Sequence, residues 1–272
     1  MVVFLAMLSP TLIVLQSFAL LACFFGIFLA VLNMRHPSEA LRRGSTAALV
    51  IAWAAQSAGI VSHALEMEGV PLRNGVEFLL MLSWGVLTLH LVIWFRSRIQ
   101  AAALVLPPIS FVTALLAVVV HAPSVRLPEA QMRGWLLFHT SAATLGLAVL
   151  SVAFAMALIY LVQERALKAK RSLAILEKLP SLETCDRVGF HALVWGFALL
   201  SIGIFTGLVR NMTQYHAYWL GGPKQTFPVL AWIVFALLFY ARFMRGLRGR
   251  KSAYLTITGF ALGLLTILGL VR

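Results

Sequence analysis

The sequence predicts an all-α, polytopic membrane helix bundle of about eight transmembrane helices, and three observations carry that fold class. Hydrophobic residues make up 61% of the chain and charged residues only 11%, against roughly 45–50% and about 25% in soluble domains. Apolar stretches near the ~20 residues needed to cross a bilayer recur along its whole length. The basic residues gather on alternate links between those stretches, as they do in multi-pass proteins.

Taken in order, the first stretch, Ser9–Asn33, lacks a positive amino-terminal region and a small-residue cleavage pattern. It reads as a retained helix rather than a signal peptide. Ser45–Leu65, Gly75–Phe95 and Gln100–Val120 follow, with only short polar links between them. Gly134–Leu161 runs directly into VQERALKAKR, so this helix is expected to continue past the membrane with its basic end reaching for water. Val188–Val209, Thr226–Phe243 and Ala253–Val271 complete the set. The longest polar segment, Gln163 to Arg187, is too short for a soluble domain, so residues 1–272 read as a single integral membrane domain.

The formal charge of +13 reports topology rather than a nucleic-acid partner. Of the 22 Lys and Arg residues, 16 fall on the links after the first, third, fifth and seventh helices. The positive-inside rule assigns those links to the cytoplasm and both termini to the periplasmic, extracytoplasmic side of a bacterial inner membrane. The two cysteines, Cys23 and Cys185, stand in different environments without a C-x-x-C pattern, which argues against a disulfide or thiol exchange.

Polar groups within a bilayer are costly and tend to mark function. The acidic residues are expected at or beyond the membrane boundaries, Glu66, Glu68, Glu77 and Glu129 among them on the outer side. Five histidines sort instead into two layers. His63, His139 and His216 belong near the outer face, and His90 and His191 about one turn inside the inner face. A lone membrane histidine is commonly a satisfied interhelical hydrogen bonder. Imidazoles at matched depth on different helices suit the axial positions of a haem iron, and the cysteines are not placed to complete a structural zinc site.

The stretch AYWLGGPKQTFPVLAW, Ala217 to Trp232, adds a second clue. Tyr218, Trp219 and Phe227 offer aromatic faces, Gly221 and Gly222 permit close backbone approach, and Lys224 suits a ligand carboxylate. An interfacial aromatic belt leading into a helix start would show the same composition.

At these residues the chain resembles the cytochrome c assembly protein family, the haem-handling proteins of the CcsA and CcmC type. Against their tryptophan-rich loop, Y-W-x-W-D-P-K-E-T-W-x-x-x-x-W, this sequence matches at Tyr218, Trp219, Pro223, Lys224, Thr226 and Trp232. Gln225 and Phe227 are near substitutions, whereas Gly221 and Gly222 replace the central Trp and Asp. RNGVEFLLMLSW, Arg73 to Trp84, is similar to the N-x-x-E-x-x-x-x-x-S-W helix of the same family, and LLFHTSAATLGL to its histidine-led helix. The resemblance covers about 72–272, and the short chain and altered loop point to the HemX and YpjD-like branch.

The resemblance implies a non-enzymatic protein that binds haem b and handles it across the inner membrane during cytochrome c assembly. His139 is then the outer ligand, with His63 or His216 as candidate partners because no histidine follows His216. His90 and His191 form the candidate inner pair. Expected partners are haem, the lipid bilayer and either other cytochrome c maturation subunits or a cytosolic haem-biosynthesis enzyme, the last as in a HemX-like regulator. The remaining alternative, an accessory to divalent-metal efflux, has only the outer acids to offer as oxygen ligands.

Overall fold

The computed structural model describes residues 10–66, 72, 74–119, 130–169 and 179–270. Among them the regular structure is helical: α1 Pro10–Arg35, α2 Glu39–Glu66, α3 Gly75–Ser97, α4 Leu106–Val119, α5 Ala130–Lys168, α6 Leu182–Tyr215, α7 Pro223–Arg245 and α8 Arg250–Leu270. A 3-10 turn, Gln100–Leu104, leads into α4, so the fourth span is two segments rather than one continuous α-helix. Among the described residues seven spans are long and apolar enough to cross a membrane. The 21 residues of α8 add a helix of about 31 Å, close to the thickness of a hydrocarbon core. The chain is a multi-pass, all-α membrane protein.

Contacts divide the chain into two compact units, Met1–Arg126 and Leu127–Arg272. The first is a closed ring of four helices, α1 on α2, α2 on α3, α3 on α4 and α4 back on α1. The second repeats that order with α5, α6, α7 and α8.

The helices are apolar all round, so side-chain size rather than polarity selects the buried face. On α1 the buried stripe is Leu12, Gln16, Ala19, Cys23, Gly26 and Ala30, while Phe18, Phe24, Phe25 and Phe28 point outward. Helix ends follow local chemistry. Asn74 caps α3 by accepting from the Glu77 backbone N–H at 2.9 Å, and Ser181 caps α6 by accepting from Thr184 at 3.2 Å. Gly246, in the left-handed region at φ 61°, ends α7.

In the second unit α6 carries glycines every seven residues, Gly189, Gly196 and Gly203, along its contact with α5. A Cβ on Gly196 would lie 2.7 Å from Leu150 Cγ, and one on Gly203 would lie 3.1 Å from the Ala143 backbone. A seven-residue repeat keeps one seam facing a partner through a gentle left-handed crossing. The far end of this unit is clamped by Arg242, whose guanidinium donates to Asp186 Oδ2 and Ser252 Oγ, both at 2.9 Å, and lies over the Phe190 ring.

Candidate functional site

His139 sits on α5 where the glycine seam of α6 ends. Its Nδ1 lies 2.7 Å from the Gly203 carbonyl oxygen and 3.2 Å from Thr206 Oγ1. A carbonyl oxygen only accepts, so Nδ1 carries the proton and Nε2 keeps its lone pair. That is the tautomer a metal-ligating histidine needs, with its second nitrogen anchored to backbone. The ring lies over Gly207, where a Cβ would come within 2.7 Å of His139 Cε1. Trp135, one turn before His139, donates from Nε1 to the Thr206 carbonyl at 3.0 Å and braces the same junction.

Beyond Gly207, α6 continues to Tyr215 and is capped by His216 in the left-handed conformation, φ 54°. His216 is exposed and, at 1.5 Å per residue, lies about 13 Å farther along the helix than Gly207. Tyr215, Tyr218, Trp219 and Leu220 then form an exposed apolar edge, each at least half accessible. The loop is set by Gln225, whose Oε1 accepts from the Leu220 N–H at 2.7 Å. Gly221 and Gly222 both take positive φ, 75° and 85°, and Pro223 opens α7. Positive φ disfavours the Trp and Asp that the family motif carries here, so this loop follows a backbone path suited to its glycines. Phe227 is half-buried; the Lys224 side chain lies outside the described residues.

Trp232, another match to the motif, is not on the loop surface. It stacks on Phe197 with ring centroids 5.7 Å apart and donates to Ser201 Oγ at 2.8 Å. Arg210 is a further residue of this site that the sequence motifs do not mark. It follows Gly203 by one further seven-residue step, and its Nε is buried with no hydrogen-bond partner among the described residues. The repeat of small residues that ends in an arginine is the signal that would have found it.

The other histidines divide between the units. His191 is exposed on α6. In the first unit His90 is 2% exposed on α3, and its Nδ1 has no hydrogen-bond partner among the described residues. His63 on α2 is equally buried, with Nε2 at 3.5 Å from Glu77 Oε1. Glu77 therefore does not stand at a wetted boundary, the place its sequence position predicts. It is 1% exposed, because its position in the first turn of α3 turns it toward α2. Cys185, expected in a polar link, is likewise buried in the first turn of α6. The acid cluster invoked for metal efflux is not assembled among the described residues, where no three of His, Cys, Asp and Glu come together. Glu66 is exposed there, and Glu68 and Glu129 lie outside the described residues.

The profile of the cytochrome c assembly protein family matches residues 72–271. A cytochrome c biogenesis protein CcsA from Gloeothece citriformis (strain PCC 7424) is 27% identical, covering 94% of this chain and 93% of its own. The CcsA of Guillardia theta is 30% identical over 75% of this chain and 74% of its own. Among solved structures, the cytochrome c heme lyase CcmF superposes with a TM-score of 0.69 at 19% identity. That match covers 95% of this chain but only 46% of CcmF, and at such identity it bears on the fold alone. The profile match takes in the His139 helix, the aromatic loop and the capped start of α3 together, and the chain belongs to the cytochrome c assembly protein family.

Proposed function

We propose that this chain binds haem at the end of its second unit and holds it for cytochrome c assembly in a bacterial inner membrane, with both termini on the extracytoplasmic side. The observation that carries the reading is His139, anchored through Nδ1 on Gly203 with Nε2 left as a ligand. The donor set fits one axial imidazole; when bound, haem supplies a redox-active iron. Tyr218, Trp219 and Phe227 offer faces for an apolar macrocycle. Arg210 and Lys224 offer cations for its propionates. His216 stands too far along α6 to share an iron with His139, so it serves the loop rather than the metal. The reading assigns no bond-making step to this chain's own residues. The names of the CcsA relatives and of CcmF, cytochrome c biogenesis protein and heme lyase, support assembly as the process. Gly221 and Gly222 favour the HemX and YpjD-like branch within the family, because their backbone departs from what a Trp-Asp loop prefers.

The test is the absorption spectrum of protein purified from haem-replete cells. A Soret band is expected in the wild type, lost or strongly shifted in His139→Ala and unchanged in His216→Ala. Gly207→Ala, which presses on the imidazole, is expected to weaken haem retention. A wild type without the band, or His139→Ala with the wild-type spectrum, refutes the reading.

A further inference from the structure

The end of the second unit remote from His139 holds more cations than its acids can match. Arg242 is paired with Asp186 at 2.9 Å, and Arg248 only reaches the edge of the same carboxylate, at 4.0 Å. Glu164 lies within electrostatic reach of Arg250 but is taken by Lys168 at 2.6 Å. Arg165 of α5 and Arg250 of α8 are in no ion pair among the described residues. Both stand instead at the Tyr254 hydroxyl. Arg250 donates to it from Nε at 3.4 Å and from Nη2 at 3.2 Å, with its guanidinium carbon 5.6 Å from the ring centre. Arg165 lies beside the same oxygen. A guanidinium fork fits the two oxygens of a carboxylate or phosphate, whereas a phenol presents one, and two cations brought to it repel each other.

The start of α8 adds to the imbalance. Its first turn opens with Arg250 and Lys251 and has no acidic residue, whereas α2, α3 and α6 place Glu39, Glu77 and Glu183 in theirs. The amino end of a helix is its positive end, where a cation is unfavourable and an anion favourable. Gly249, at φ 75°, brings no side chain to cap it. The N–H groups of Arg250, Lys251 and Ser252 precede the first helical bond, Ala253 to Gly249 at 3.0 Å. Two guanidiniums and a positive helix end thus meet where the described residues supply no anion.

The surroundings select which anion fits. Beyond Tyr254 the exposed side of α8 continues with Ala261 and Leu265 after Thr258, and no ionisable residue follows before Arg272. A cationic rim that leads straight into an apolar stripe matches a phospholipid, phosphate first and acyl chain after it, whereas a soluble anion would use the rim alone. The link charges assign this end to the cytoplasmic leaflet, whose acidic lipids attract basic segments.

We propose that Arg165, Arg250 and the amino end of α8 form a seat for an acidic phospholipid of that leaflet, held by its phosphate. The guanidiniums turn from the phenol to the phosphate oxygens, and the Tyr254 hydroxyl donates to one of them. An acyl chain lies along Thr258, Ala261 and Leu265. Arg242 keeps Asp186 and takes no part. The seat is about 39 Å along α5 from His139 and does not depend on haem being bound.

The delipidated full chain in a neutral detergent, titrated with phosphatidylglycerol, phosphatidylcholine or inorganic phosphate, gives the test. Two quantities are read, the midpoint of thermal unfolding and the lipid retained in native mass spectrometry. Phosphatidylglycerol is expected to raise the wild-type midpoint by several degrees and to stay bound, and the other two at equal concentration to do neither. Arg165→Gln and Arg250→Gln each remove a cation that lacks an acidic partner. Without lipid their midpoints are therefore expected to equal or exceed that of the wild type, and phosphatidylglycerol to add nothing. Arg245→Gln, the same loss of charge on α7, is expected to respond to the lipid as the wild type does. An equal response to phosphate would assign the cluster to a soluble anion, and an equal loss in Arg245→Gln to overall charge; either overturns the proposal. So does a wild type indifferent to phosphatidylglycerol, or a lowered midpoint in both arginine variants before lipid is added.

Discussion

In the second unit α5 and α6 meet backbone to backbone. A Cβ on Gly146 would lie 2.8 Å from the Leu200 amide nitrogen. In the first unit the nearest comparable approach is Gly26, whose Cβ would meet side chains rather than backbone, Leu49 Cγ at 2.8 Å and Ala48 Cβ at 3.4 Å. The units share one helix order but differ in what fills their interiors. One relies on small residues and rigid close contact, the other on polar side chains only partly matched to one another. A site that must hold an imidazole to within a fraction of an ångström belongs on the first kind of scaffold, and His139 is there. Buried groups with spare hydrogen-bonding capacity belong to the second kind, and Gln16, Gln56, His63 and His90 are there.

The largest effect follows from that contrast. Gly146→Val must push two backbones apart, at an expected cost of about 3 kcal/mol. Gly26→Ala asks one leucine to change rotamer, costing about 1 kcal/mol. Unfolding of the two variants in mixed detergent micelles checks the difference. Equal losses would break the comparison. Gly146→Val is also expected to lower haem retention, because it disturbs the seam that ends at His139.

A smaller effect of opposite sign is expected in the first unit. Gln16 buries an amide with neither atom matched among the described residues, and such a group costs about 1–3 kcal/mol. Gln16→Leu is expected to stabilise the protein by about 1 kcal/mol. Measured by the same unfolding assay, a destabilised Gln16→Leu would mean that the amide is structurally satisfied. That result would remove the contrast between the units.

Hydropathy and the link charges showed how many helices there are and roughly where each lies, because a span needs only length and apolarity. The resemblance at Tyr218 to Trp232 marked the site's loop, and the histidine-led helix marked His139. Depth within the bundle was not legible in the same way. Glu77 follows its cap residue Asn74 by three positions, which in sequence reads as a helix start at a boundary. Its burial depends on His63 of another helix standing opposite. In the sequence Arg210 is one of the basic residues expected on the outer side, and only the packing of α6 on α5 shows that it continues the glycine seam. The seam itself was present as Gly189, Gly196 and Gly203, but a seven-residue spacing does not say which helix it faces. The composition of the fourth span is apolar throughout and reads as one continuous helix, whereas the backbone changes from 3-10 to α at Val105.

The smallest effect separates the motif's two tryptophans. Trp232 lies inside the second unit, stacked on Phe197 and bonded to Ser201, whereas Trp219 is half exposed on the loop. Trp232→Phe keeps the stacking and loses one hydrogen bond, which costs about 1 kcal/mol. Its haem spectrum is expected to match the wild type, because the ring is pinned to α6 and offers no face to the loop. Trp219→Ala is expected to do the reverse, leaving stability within about 0.5 kcal/mol while weakening haem retention. Thermal unfolding and the Soret band, read on the same two preparations, check both. If Trp232→Phe alone altered the spectrum, the aromatic loop would not be the surface that meets the macrocycle, and the rigid interior of the second unit would have to supply it.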